Sequence, residues 1–450
     1  MKKQKKVLLP VVIITLLGSF SISFHAFKKA QYSYDDFQKP GYCNQCHDLF
    51  YQQWDQAMMS DAYNHEWDEI EYFKLAVAHT ENDPDVPAEV HEGCNGCHTP
   101  MAFLAGDMPP PDPKTNPRAN ESVSCDVCHS IKGFEGDVPF NHNYIIEPGG
   151  PKFSARKGEV NSPNHEIDTT AFFRTAEFCG ICHNEKSPHG VWVKSTHLEL
   201  QEGPYYAEGI VCHDCHMPDA PGKTAKMGAR YEDAKMHLFN GAHDPGKIRG
   251  TVEIRMTPDR QDYVPGEPMV LTVTLYNQKT GHKFPTGSVE DRIVWLHVEA
   301  EDEKGNKYHL PVDKKGFEGE EYTIASEELA YQDMGVPLGI EDFEGLRREM
   351  VPVGDRIFRM PYFDPQGRMT MMQWNTASLG VDYRFGPRET KVETYTFEIP
   401  YEVAPGELTL RAVMNYRLLV KSVGEYLEVP EEEYTAMLVN EQETTVTIYP

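Results

Sequence analysis

The chain has 450 residues and a formal charge of −27, from 43 lysines and arginines against 70 aspartates and glutamates. That length allows two or three domains. The acidity argues against a nucleic-acid partner and favours basic or dipolar protein partners, alongside plain solubility.

Residues 1–30 hold six lysines and no acid, so everything after them carries −33. Lys2, Lys3, Lys5 and Lys6 precede an uncharged run from Val7 to Phe27, and Lys28 and Lys29 follow it. Such a run is long enough to span a bilayer of about 30 Å with the lysines on the cytoplasmic side. It reads as an export signal or, preferably, an uncleaved transmembrane anchor, although Ser19, Ser21 and Ser23 offer small residues for cleavage.

From Gly41 to Pro218 the pattern Cys-x-x-Cys-His occurs five times: Cys43, Cys46 and His47; Cys94, Cys97 and His98; Cys125, Cys128 and His129; Cys179, Cys182 and His183; Cys212, Cys215 and His216. Two thiols at this spacing can each add to one vinyl group of a haem, and the adjoining histidine then falls under the iron as its proximal ligand. All ten cysteines are consumed by the five copies, which leaves none for a disulfide. A zinc ribbon would not need the repeated histidine, and a thioredoxin-like motif would occur once. The pattern implies five covalently attached c-type haems. With only about 35 residues per haem, the haems must pack on one another and replace much of an ordinary core.

Successive first cysteines lie 51, 31, 54 and 33 residues apart, an alternation that suggests one N-terminal site followed by two duplicated pairs. Tyr51 to Val77 lacks proline and glycine and is expected to form one amphipathic helix carrying Trp54, Met58, Met59 and His65. The methionines are expected to pack, and His65 is the better ligand candidate. Asp107 to Asn120, with five prolines, and Asp137 to Pro163 are expected to be loops, the second bringing Lys152, Arg156 and Lys157 as possible partners of propionates.

Thirteen histidines remain for the far side of the irons once the five proximal ones and His25 are set aside. The candidate distal ligands are His65, His165, His197, His237 and His243. His213 lies inside its own Cys-x-x-Cys bracket, cannot reach the far face of that haem and is expected to be exposed.

Several flanks resemble multihaem c-type cytochromes of the cytochrome c-554/c-prime class, many of which carry a C-terminal β-domain. The resemblance rests on Trp54-Asp-Gln-Ala-Met-Met-Ser-Asp-Ala, Cys97-His-Thr-Pro-Met-Ala-Phe-Leu-Ala-Gly, Val123-Ser-Cys-Asp-Val-Cys-His, Phe178-Cys-Gly-Ile-Cys-His-Asn, Gly209-Ile-Val-Cys-His-Asp-Cys-His-Met-Pro and Gly281-His-Lys-Phe-Pro-Thr-Gly. It implies an exported electron carrier with closely stacked, mostly bis-histidine haems. The class usually has Tyr-x-Glu-Trp where this chain has Thr196-His-Leu-Glu-Leu, a departure that marks His197 as an added ligand candidate.

From Gly250 the pattern turns to period-two alternation, in Thr251 to Met256, Val270 to Tyr276, Arg292 to Ala300, Lys391 to Ile399, Leu408 to Tyr416 and Thr444 to Tyr449. An immunoglobulin-like sandwich is expected, interrupted by an insertion near 316–390. The loop Gly281-His-Lys-Phe-Pro-Thr-Gly is expected to dock this sandwich on the haem domain, bringing His282 to a haem as ligand or propionate partner.

These readings describe a multidomain protein: a signal or membrane anchor at 1–30, a mainly α and loop pentahaem cytochrome domain at 31–249, and an all-β sandwich at 250–450. The expected function is electron transfer along five haems to a terminal acceptor. The donor would be a redox partner protein, a membrane quinol or a quinol-oxidising complex. The expected place is the periplasmic or extracytoplasmic side of the cytoplasmic membrane, or the cell exterior. Two alternatives remain: a reductase or oxidase of a small nitrogen or sulfur compound at an open haem, and a subunit of an extracellular cytochrome filament. No phosphate-binding glycine loop, nucleophile elbow or zinc-hydrolase motif assigns a catalytic residue.

Overall fold

The computed structural model describes residues 31–83, 86, 89–112, 117–118, 121–156, 162–313, 329, 331–332, 347–348 and 351–450. The expected anchor at 1–30, Lys157 and much of the insertion lie outside the described residues. Among the described residues no helix is long and apolar enough to cross a membrane.

The cysteine-bearing region is a chain of short elements. Helices α1 (Pro40–Asn44), α2 (Asp48–Asp55), α3 (Glu66–Glu71), α4 (Glu89–His98), α5 (Cys125–Cys128), α6 (Ala176–His183), α7 (Thr196–Glu202) and α8 (Cys212–His216) alternate with turns and two-stranded ribbons. Each Cys-x-x-Cys-His copy is itself helical or straddles a helix end, because that turn puts both thiols and the ring on one side of the backbone. The apolar cluster proper to this region is small, with Phe37, Met101, Leu104, Val127, Ile131, Ile146 and Ile181 at its centre.

The single helix expected over residues 51–77 is broken. Helix α2 stops at Asp55, turns occupy residues 56–65, and helix resumes at Glu66, passing through a π-helical stretch, Tyr72–Val77, into Ala78–Asn82. The break has local causes. Ser60 Oγ donates to the Asp55 and Ala57 carbonyls, which would otherwise continue the helix, and Trp54 Nε1 turns away to donate to the Val123 carbonyl. Part of the Asp137–Pro163 loop forms short strands, Tyr144–Ile146 and Lys152–Ser154, and Lys152 and Arg156 are paired with Asp126 and Asp233.

The C-terminal half is the expected sandwich. Strands β1 (Val252–Pro258), β2 (Asp262–Tyr263), β3 (Pro268–Asn277), β4 (Ile293–Asp302), β5 (Lys307–His309), β6 (Arg356–Phe358), β7 (Thr390–Glu398), β8 (Gly406–Arg417) and β9 (Met437–Ile448) form two sheets. One sheet runs β7-β3-β1; the other runs β2-β9-β8-β4-β5, with β6 also on β4. All of these pairs are antiparallel except β2 with β9. This order, with its split first strand, is that of an immunoglobulin-type sandwich. Alternation does the sorting: Met269, Leu271, Val273 and Leu275 of β3 are fully buried, as are Leu408, Leu410, Ala412 and Met414 of β8.

The two halves share a core. Trp67, Tyr72, Leu75 and Ala76 belong to the same apolar cluster as Leu419, Val423 and Leu427, so the segment after the break packs on the sandwich. Lys74 Nζ caps the Leu427 carbonyl at 2.7 Å, and Trp374 Nε1 donates to His79 Nδ1 at 3.0 Å. On the other side, Arg384 and Glu199 form a buried pair at 2.8 Å, and Thr286 Oγ1 donates to Glu199 at 2.6 Å.

Candidate haem-binding site

All ten cysteines and all five motif histidines line one connected cavity of about 2350 Å³. Ligand pockets typically occupy roughly 300–1,000 Å³, so this space suits several large groups rather than one. The motifs sit close together. The Cys43 thiol lies near that of Cys125, Cys97 near Cys182, and Cys179 near Cys212. The first site therefore adjoins the third, the second adjoins the fourth, and the fourth adjoins the fifth.

Four motif rings are held by Nδ1 on a backbone carbonyl: His47 on Thr224 at 2.5 Å, His98 on Ala62 at 2.7 Å, His129 on Phe153 at 2.7 Å and His216 on Asn240 at 2.7 Å. A carbonyl at Nδ1 places the proton there and frees Nε2 as the ligand atom, the arrangement that orients imidazoles on metals. Burial pushes His183 and His216 down to about 4 and also lowers His129. Burial thus favours the neutral form of His129, His183 and His216, with a lone pair to give.

Three of these rings face a second histidine. His47 and His165 have ring centres 6.2 Å apart, His129 and His237 6.3 Å, and His216 and His282 6.5 Å, with interplanar angles of 36°, 21° and 15°. Two imidazoles on opposite sides of one metal ion, with bonds of about 2.0 Å and ring centres about 1.1 Å beyond the nitrogens, would lie about 6.2 Å apart. The partner rings are anchored in the same way, with Nδ1 on the carbonyls of Glu166 at 3.1 Å, Lys235 at 3.0 Å and Lys283 at 2.8 Å. Burial pushes His237 down to about 3 and lowers His282. The residues present therefore fit iron held between paired histidines at the first, third and fifth motifs.

Of the candidate distal ligands, His165 and His237 stand opposite motif histidines, and His65, His197 and His243 do not. His197 packs over Gly180 of the fourth motif, where an added Cβ would meet its ring at 2.8 Å, and its Nδ1 takes the Asn184 amide at 3.0 Å. His65 and His243 face each other and Glu433 of the sandwich. His213, expected to be exposed, is 7% exposed, because its ring turns inward toward Phe178. His282 completes the fifth pair from the sandwich. Its signal in the sequence is its place between Gly281 and Gly287 in a loop that the following strands hold fixed.

Among the described residues no histidine ring stands opposite His98 or His183 at the paired separation. Around Cys94 the cavity wall is charged instead. Lys194 bonds Glu185 at 3.1 Å, and Glu71, Asp291 and Arg292 also line the space. Burial pushes Glu71 up to about 7 and the adjacent Glu290 up to about 8.

The sequence model of the family described as "Cytochrome c554 and c-prime" matches residues 42–130. The chain is similar to that family. The resemblance visible in the motifs thus holds over the first three of them. No curated protein matches the sequence. Among solved structures, a penta-haem cytochrome c552 from Thermochromatium tepidum superposes with a TM-score of 0.64 at 18% identity, covering 91% of this chain and 99% of that one. That match shows the fold, cytochrome region and β-rich region together. A CARDB domain from Pyrococcus furiosus, 10% identical over 44% of this chain and 87% of that one, reaches a TM-score of only 0.19 and carries no argument.

Proposed function

We propose that the chain is a multihaem c-type cytochrome that carries electrons along five covalently bound haems. The observation that carries this reading is the set of three histidine pairs at 6.2–6.5 Å inside one cavity lined by all five Cys-x-x-Cys-His motifs. Haem iron supplies reversible one-electron chemistry when bound. The protein's part is to hold and orient. The ten cysteines would form the thioethers; His47, His98, His129, His183 and His216 would take the irons from one side. His165, His237 and His282 would take three of them from the other, which closes those irons to substrate and leaves them to transfer electrons. The sandwich is a structural part of the relay, because its loop supplies His282.

The lysine-flanked uncharged run at the N-terminus supports an anchored position outside the cytoplasmic membrane, with a quinol-linked or soluble redox protein as donor. Spectroelectrochemical titration of the purified holoprotein tests the reading. The expected result is five haems per chain that reduce and reoxidise without any small-molecule substrate; fewer covalent haems, or a haem that cannot be reduced from an electrode or protein donor, would overturn it.

The unpaired His98 and His183, together with the charged wall beside Cys94, favour one second reading: reduction of a small nitrogen or sulfur oxyanion at the second or fourth site. Rapid oxidation of the reduced protein by nitrite, hydroxylamine or sulfite would select it over pure conduction.

A further inference from the structure

His65, His243 and Glu433 come from three separate parts of the chain. His65 immediately precedes α3 in the haem domain, His243 lies in the segment entering the sandwich, and Glu433 sits in the 3-10 turn Glu431–Tyr434 before β9. Their ligand atoms all lie within 4.8 Å of one another. His65 Nε2 is 3.2 Å from Glu433 Oε1, and His243 Nε2 is 3.5 Å from Glu433 Oε2. The second contact is too long for a good hydrogen bond, and both atoms are buried without a hydrogen-bond partner. Two donors on a tetrahedral ion with bonds of 2.0–2.1 Å are separated by about 3.3–3.4 Å, between the two observed values. The rings meet at 72° with centres 5.4 Å apart, so they converge on a point rather than stack. Asp68 Oδ2 lies 3.7 Å from His65 Nδ1, a charge contact beyond hydrogen-bond range.

A second group, His297, His309 and Asp355, gives the contrast. There Asp355 Oδ1 receives His297 Nδ1 at 2.9 Å and His309 Nε2 at 2.8 Å, and the rings stack at 8°. Those are ordinary hydrogen bonds that close without an ion. In the first group only His65 Nε2 bonds Glu433, at 3.2 Å, while His243 Nε2 and Glu433 Oε2 stay apart at 3.5 Å.

We propose that His65, His243 and Glu433 bind a divalent transition-metal ion of the zinc type, separate from the haem irons, that ties the haem domain to the sandwich. Two imidazoles and one carboxylate suit Zn²⁺ and leave a fourth position for water. Since the three ligands belong to different parts of the fold, the ion acts as a cross-link that is present only in the docked arrangement.

The test uses the full holoprotein, stripped with a chelator, incubated with Zn²⁺ and desalted. Zinc is then measured against haem iron by elemental analysis. About one zinc per chain is expected in the wild type, and less than about one-tenth of that in His243→Ala and in the near-isosteric Glu433→Gln. Added Zn²⁺ should raise the unfolding temperature of the wild type alone, and the visible haem spectrum should be the same in all three proteins. No retained zinc in the wild type would overturn the proposal, as would equal zinc in the variants. A haem spectrum altered by His243→Ala would also overturn it, because His243 would then be a haem ligand.

Discussion

Among the described residues of 252–448, the nine strands of the sandwich exchange hydrogen bonds within two sheets, and alternate side chains close an apolar core between them. Residues 31–249 are built differently. Apart from the helical run that continues from Glu66 through the π-helical stretch to Asn82, their described helices have ten residues or fewer, their ribbons are three to six residues long, and the large interior space is lined by cysteines and histidines rather than filled by leucines. One half carries its own reason to fold, whereas the other has been shaped around groups it must bind. The sandwich nevertheless enters the second scheme, since it supplies His282 to the cavity and Glu199 finds its partner Arg384 there.

The widest separation between the halves should come from withholding haem. A protein produced without haem attachment should be digested rapidly through residues 31–249 and leave a protease-resistant fragment starting near Gly250; equal resistance of both halves would break the contrast. Within the sandwich, Leu271→Ala removes a fully buried side chain from the central strand of the smaller sheet. It should lower unfolding free energy by about 2–5 kcal/mol, measured by denaturant titration, with haem spectra unchanged below the transition.

At the junction, Glu199→Gln leaves Arg384 buried with one fewer carboxylate and should cost about 3 kcal/mol. Burial works against the Glu199 charge, but Arg384 and Thr286 together hold its carboxyl below the ordinary range. A lowered folded value means that the pair's contribution is complete above the unfolded value of about 4.3 and is lost as pH falls through the folded one. The wild type should therefore lose stability below that pH more steeply than Glu199→Gln does. The exposed pair Arg388 with Glu208, at 2.6 Å, joins the same two halves at the surface. Arg388→Ala should leave the unfolding temperature unchanged within error, because solvent screens such a pair.

The parts of this arrangement that the sequence shows are those with local causes. Each Cys-x-x-Cys-His copy must form a turn to present its ligands, and each sandwich strand sorts its own residues by alternation, so both can be read in place. The far side of an iron has no local cause. His165, His237 and His282 are set opposite His47, His129 and His216 by segments distant in the chain, and nothing around His165 distinguishes it from His65 in the sequence. His65 belongs instead with His243 and Glu433, a grouping that exists only once the sandwich has docked. The break in residues 51–77 has a partly similar origin: helix-forming composition favours continuity, but Trp54 bonds the distant Val123 carbonyl and Ser60 captures the carbonyls of Asp55, the last residue of α2, and of Ala57 just beyond it.

In the proposed relay the sandwich completes the haem chain through His282. Electron paramagnetic resonance of the oxidised holoprotein, wild type against His282→Ala, tests it most directly. In His282→Ala one low-spin signal should be lost and one high-spin signal should appear, with the remaining haem signals unchanged; identical spectra for the two proteins would rule out His282 as a ligand.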